Sequence, residues 1–180
     1  MLFRSTLQLT EELTGNLAEQ LRAGRVNLAV LLDDGQLSSF ATTPLVEEEL
    51  RFICRDDALW AAGRDSLALA EALDATLILP GLQHGVRPRI ESTARAAGLH
   101  TRGVIEINSI AILKSAILAG MGATILPVAP VQAEVERGAM RALAIHSPSI
   151  SRTVVLCTSK NIPLTNAAAA VSRLVAQVAT

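Results

Sequence analysis

Apolar, strand-like runs that alternate with helix-like segments predict an α/β fold with a largely parallel sheet covered on both faces. The run at residues 26–32, Val-Asn-Leu-Ala-Val-Leu-Leu, is almost continuously apolar, as a strand buried on both sides would be. Residues 76–79, Thr-Leu-Ile-Leu, are a second such run. No internal repeat or low-complexity linker interrupts the alternation, so two lobes, if present, are joined by ordered strands.

The elements follow in order. Leu13, Leu17 and Leu21 recur every four residues and predict a helix over residues 14–23, stopped by Gly24. The strand at 26–32 then ends at the turn residues Asp33-Asp34-Gly35. Residues 50–55 read as a strand and 56–74 as a looser segment. The strand at 76–79 breaks at Pro80-Gly81. A loop leads to a helix over 87–97 that closes at Gly98, and 104–107 is the next strand. Ser109 can cap the following helix, whose Ile110, Leu113 and Ile117 share a face, and Gly120 ends it. A strand at 123–126, a short helix at 131–136 and strands at 142–145 and 153–157 follow. The final helix starts near Thr165, with Ala167, Val171, Leu174 and Val178 as its buried stripe.

Composition narrows the function classes. The 180 residues suffice for one large domain or two small lobes, and half of them are apolar. Sixteen basic residues against seventeen acidic ones give a net charge of −1, and no basic run stands out, which excludes a composition-driven polyanion binder. Aromatics are scarce and Tyr is absent, which argues against a base-stacking or sugar-stacking surface. No stretch approaches the roughly 18 apolar residues of a membrane span, and no signal-peptide pattern is visible, so the expected location is cytoplasmic and no membrane partner is expected. Cys54 and Cys157 lie in strand-like stretches and read as reduced core thiols, a disulfide being the alternative.

Motifs of catalysis are missing from the sequence. Gly120-Met121-Gly122 sits after a helix and before a strand, the reverse of a dinucleotide fingerprint, so Gly120 reads as a helix stop and Gly122 as a turn residue. His84, His100 and His146 lack metal-ligand spacing and read as loop or surface residues. Asp33-Asp34 could hold a hard cation but is also an ordinary turn. No serine occupies a nucleophile elbow. No cofactor is expected, and the chain reads as a non-enzyme.

One constellation has chemical content. Ligands of open parallel sheets bind beyond the carboxyl ends of the strands. Three such ends are readable: Leu32-Asp33, Pro80-Gly81-Leu82-Gln83, and Asn108-Ser109, which opens a helix. Free amides at a helix N-terminus beside a hydroxyl suit a carboxylate or another small anion. Taken alone, the same residues also describe a capped helix and a plain turn. Arg87 and Arg89 could add charge, or be solvated in an exposed first turn.

At these residues the chain resembles the effector-binding domain of LysR-type transcriptional regulators. LTGNLAEQLRAGRVNLAVL (residues 13–31) resembles their helix, turn and strand, and LVEEELRFICRDDALW (45–60) their crossover strand. INSIAILKSAILAGMGATILP (107–127) resembles their helix, Gly-x-Gly and strand, and ISRTVVLCTSKNIPLTNAAAAVSRLV (150–175) their return strand and terminal helix. The closest flavour is that of the nitrogen-assimilation and cysteine-biosynthesis regulators. The resemblance implies a periplasmic-binding-protein-like type II fold, two Rossmann-like lobes joined by two crossover strands. Lobe I would be residues 1–51 and 151–180, lobe II residues 52–150. It implies an effector in the cleft, an anion by the helix-terminus argument, at Leu32, Asp33, Pro80, Gly81, Leu82, Asn108 and Ser109. It implies a homo-oligomer, a dimer or tetramer, in the full-length regulator. Two departures stand out. Asn27 replaces the family's usual aspartate. The winged helix-turn-helix, the linker helix and the first strand and helix of lobe I are expected to be absent, so DNA would be reached only through a missing N-terminal domain. The competing expectations are a free-standing solute-binding protein or non-functional remnant with no DNA role, and an enzyme on a similar two-lobed fold, which would need an acid–base pair that the sequence does not offer.

Overall fold

The computed structural model describes residues 6–33, 35 and 37–179. Asp34, half of the suggested cation pair, lies outside them. The chain divides into two compact units: one holds the chain up to Val46 and again from Thr153, the other is Glu47–Arg152.

In the first unit, helix α1 (Thr14–Arg22) leads to strand β1 (Ala29–Leu32), and β2 (Phe40–Glu49) follows. Gly24 adopts φ +68° just past α1, a left-handed conformation that favours glycine. Leu21 on α1, Ala29 and Leu31 on β1, and Leu37, Phe40, Val155 and Cys157 form one buried cluster, with Leu17 packed against it. The Arg22 guanidinium lies 5.4 Å from the centre of the Phe40 ring.

The second unit continues with β3 (Arg51–Arg55), β4 (Ser66–Ala68), α2 (Leu69–Asp74) and β5 (Thr76–Leu79). Next come α3 (Val86–Ala96), β6 (Gly103–Glu106), α4 (Ile110–Leu118), β7 (Thr124–Leu126), α5 (Gln132–Glu136) and β8 (Met140–His146). Strand β9 (Ser151–Ser159) runs back into the first unit, where α6 (Asn166–Val178) ends the fold. Strands β2 and β9 are therefore the two passages between the units. Phe52, Ile53, Leu67, Leu73, Leu77, Ile78, Leu79, Ile90, Leu113, Ile117 and Ile125 are essentially inaccessible to solvent. Each such side chain contributes about 1.5–3 kcal/mol by leaving water.

The sheets are mixed, which corrects the expectation of a largely parallel one. Their strand orders are β1-β9-β2, β4-β8-β3-β7 and β5-β6. β1 pairs antiparallel with β9, and β3 pairs antiparallel with both β7 and β8. β4 with β8 and β5 with β6 run parallel, and a parallel bridge links Leu77 on β5 to Ala123 just before β7.

Three further expectations change. The apolar run at 26–32 supplies only four strand residues, and Val30 in it is 47% exposed, so β1 is not buried on both faces. The segment at 56–74 is not loose throughout: it contains β4 and α2, held by the Glu71 carboxylate, which accepts from the Ala68 N–H at 2.9 Å and pairs with Arg64. Most of the stripe expected on the last helix is turned outward: Ala167, Leu174 and Val178 are exposed, Val171 is half-buried, and Ala168 is the buried residue.

Candidate functional site

Strands β5 and β6 are parallel neighbours with Leu79 opposite Glu106. Parallel pairing makes both loops leave from the same end, which brings two of the predicted positions together. The Gly81 N–H donates to Asn108 Oδ1 at 2.8 Å. The Ile107 N–H donates to the Leu79 carbonyl at 3.0 Å, which extends the pairing one step past β6. Pro80 and Gly81 are buried, while Leu82 is 56% exposed and Gln83 beside it is also exposed. The turn closes where the His84 N–H donates to the Gly81 carbonyl at 3.0 Å. Both polar groups of Gly81 are thus committed, and the loop presents Leu82 and Gln83 outward.

Ser109 is the N-cap of α4. Its Oγ accepts from the Ile112 N–H at 3.4 Å and its carbonyl accepts from the Leu113 N–H at 2.9 Å. The amides of Ile110 and Ala111 precede the first intrahelical bond of α4, as helix geometry requires, and among the described residues the side-chain cap of Ser109 reaches Ile112 instead. They stand beside the Ser109 hydroxyl with the partial positive charge of a helix N-terminus.

In the first unit, β1 ends at half-buried Leu32. The Asp33 N–H donates to the Thr153 carbonyl at 2.9 Å, and its Oδ1 accepts from the Gly35 N–H at 3.0 Å. The Asp33 carboxylate is thus engaged in its own turn, the arrangement expected of an Asx turn.

Two residues are more buried than a loop or exposed first turn suggests. His84 lies in the loop before α3, as read, but is 4% exposed, and its Nδ1 has no hydrogen-bond partner. Burial pushes its pKa down, opposed by the Glu106 carboxylate. Arg87 is not solvated: its side chain is 17% exposed and pairs with Glu91 at 2.8 Å and Glu106 at 3.1 Å. Its charge is matched by two carboxylates, so it adds no free cation to the site. Arg89 donates to the Ser151 carbonyl at 2.8 Å. The Arg87–Glu91 pairing was legible as an i,i+4 spacing on a helix; the contact with Glu106, 19 residues away, was not.

Cys54 and Cys157 are free and buried, on β3 and β9. Burial pushes both thiols up to about 11. Among the described residues no cluster of three or more His, Cys, Asp or Glu could hold a metal ion, and no helix is long and apolar enough to cross a membrane.

With this geometry in place, the relatives become informative. The family model for the LysR substrate binding domain matches residues 4–180. The chain belongs to the LysR family as a substrate-binding domain. It is 27% identical over 158 residues to the hydrogen peroxide-inducible genes activator of Pectobacterium carotovorum subsp. carotovorum, covering 88% of this chain and 52% of that protein. It is 28% identical over 158 residues to the nitrogen assimilation regulatory protein nac of Klebsiella aerogenes, covering 88% and 50%. The chain therefore spans about half the length of the curated relatives it matches. Among solved structures, the effector binding domain of QuiR in complex with shikimate superposes with a TM-score of 0.81 at 18% identity, covering 93% of this chain and 78% of that one. The reduced form of OxyR gives 0.76 at 23% identity, covering 96% and 80%. The regulatory domain of CcmR from Synechocystis PCC6803, in complex with 2-PG, gives 0.80 at 17%, covering 93% and 80%. These likenesses establish the fold: a periplasmic-binding-protein-like type II architecture, two α/β lobes joined by two crossover strands.

Proposed function

We propose that this LysR substrate-binding domain senses a small anionic metabolite and so controls the DNA-binding activity of a cytoplasmic transcription regulator. The observation that carries the reading is the pairing of the Gly81 loop with the start of α4. Strand ends β5 and β6 deliver Pro80, Gly81, Leu82, Asn108 and Ser109 to one place, and the uncapped amides of Ile110 and Ala111 stand next to the Ser109 hydroxyl. Amides at a helix N-terminus favour a carboxylate or phosphate. DNA would be contacted through an N-terminal domain outside this sequence, and the assembled regulator would be a dimer or tetramer. Exposed apolar side chains on and just after α4, Ile112, Leu118 and Met121, support self-association.

A peroxide-sensing reading, suggested by the names of several relatives, is disfavoured by the thiols. A peroxide-reactive cysteine must be accessible and ionised. Both thiols of this chain are buried and held in the protonated form. A metabolite effector is the better fit.

The test is calorimetric titration of the chain with shikimate, 2-PG and a panel of small carboxylates and phosphates. For the compound that binds, Ser109→Ala should weaken affinity about tenfold, the loss of one hydrogen bond to a charged group. Unchanged affinity removes Ser109 from the site, and a panel in which only uncharged compounds bind contradicts the anionic reading.

A further inference from the structure

Asn108 is committed on both sides of its amide. Its Oδ1 accepts from the Gly81 N–H at 2.8 Å, and its Nδ2 donates to Glu106 Oε1 at 3.4 Å. The other oxygen of Glu106 accepts from Arg87 Nη1 at 3.1 Å, and Arg87 Nε is held by Glu91 at 2.8 Å. A chain of contacts thus runs from α3 through the end of β6 to the loop after β5.

The order of donors and acceptors along it has a consequence. A side-chain amide can present either its oxygen or its NH2 group to a neighbour. Gly81 needs the oxygen, because it offers an N–H. Glu106 selects that orientation, because a carboxylate accepts only from the NH2 side. Arg87, 17% exposed and fixed at its other edge by Glu91, holds the Glu106 carboxylate in place, although Glu106 itself is half exposed.

We propose that Arg87 is a positioning residue for the effector loop, acting on Gly81 through Glu106 and Asn108. It sets the direction in which Leu82 and Gln83 face the ligand and does not itself touch the ligand. The proposal rests on the effector-loop reading above, but its test does not require a ligand.

The experiment is amide hydrogen exchange by NMR on the whole chain, without ligand. In the unsubstituted protein the Gly81 N–H is protected. Arg87→Met, which keeps the aliphatic stem and removes the guanidinium, should speed Gly81 exchange by about tenfold, with the amide of Leu113 in the buried face of α4 unchanged. Glu106→Leu should do the same. Glu106→Gln keeps one acceptor oxygen where the carboxylate has two, so it cannot satisfy Asn108 and Arg87 together and should also speed Gly81 exchange, by less than Glu106→Leu does. Gly81 exchange unaltered by Arg87→Met and Glu106→Leu overturns the proposal. So does an equal rise at Gly81 and Leu113, which would mark Arg87 as a general stabiliser of the unit. Absence of any binding to the metabolite panel would refute the effector reading and leave the exchange result to decide the relay.

Discussion

The two cysteines give the sharpest chemical prediction, because the named relatives make thiol chemistry the obvious alternative. Cys54 lies on β3 and Cys157 on β9, both with no accessible surface. Burial raises each thiol from an ordinary 9.0 to about 11, with Asp56 adding to the rise at Cys54 and Asp33 at Cys157; Arg141 opposes it at Cys54. That difference lowers the thiolate fraction at neutral pH about 100-fold relative to an ordinary thiol. Inaccessibility slows reaction further, since reagent must wait for local or global opening. Labelling of the native protein with a disulfide reagent at pH 7.5 should therefore be slower than labelling in denaturant by well over about 100-fold. Treatment with hydrogen peroxide should leave two titratable thiols after unfolding. Rapid labelling of either cysteine in the native state, or loss of a thiol to peroxide under mild conditions, would refute the argument.

Other outcomes follow from single contacts. A Cβ at Gly122 would run into the backbone carbonyl oxygen of Thr76, which also accepts from the Ala123 N–H at 3.0 Å. Gly122→Ala should cost about 1–3 kcal/mol in chemical denaturation, as overpacking against backbone does. Gly103→Ala, with open space at that Cβ, serves as the nearly neutral control. His84 is buried with its pKa pushed below 6.5, so its contribution to stability is present above about 6.5 and is lost as the pH falls and the unfolded chain takes up the proton. The parent should accordingly lose stability relative to His84→Gln between pH 7.5 and 5.5; a constant difference would show that burial does not hold the imidazole neutral.

Much of the fold was legible because local rules governed it. Gly24 and Gly120 both stop helices with positive φ, Ser109 caps the helix it was assigned to, and the last helix starts beside Thr165 as read. Strand β5 has the bounds read from its four residues. What escaped was decided by packing at long range. The ten residues of β2 contain Pro44 and three consecutive glutamates, a poor strand pattern that suits an exposed edge, and it becomes a strand by pairing with β9, more than 100 residues away. The apolar stripe on α6 had the right period, but periodicity does not say which face finds a partner. At the site, the strand-end positions could be named from the α/β pattern, while the links that give them roles could not. Gly81 meets Asn108 across 27 residues and Arg87 meets Glu106 across 19, contacts that depend on β5 and β6 lying side by side.

The account stands most directly on where a ligand is felt. Backbone amide shifts should be followed by NMR during titration with the tightest-binding carboxylate or phosphate of the panel. The effector reading predicts saturable shifts at Leu82, Gln83, Ser109, Ile110 and Ala111. Saturable shifts confined to other surfaces, such as the Arg64–Glu71 pair or the outer face of α6, with those residues unmoved, would contradict it.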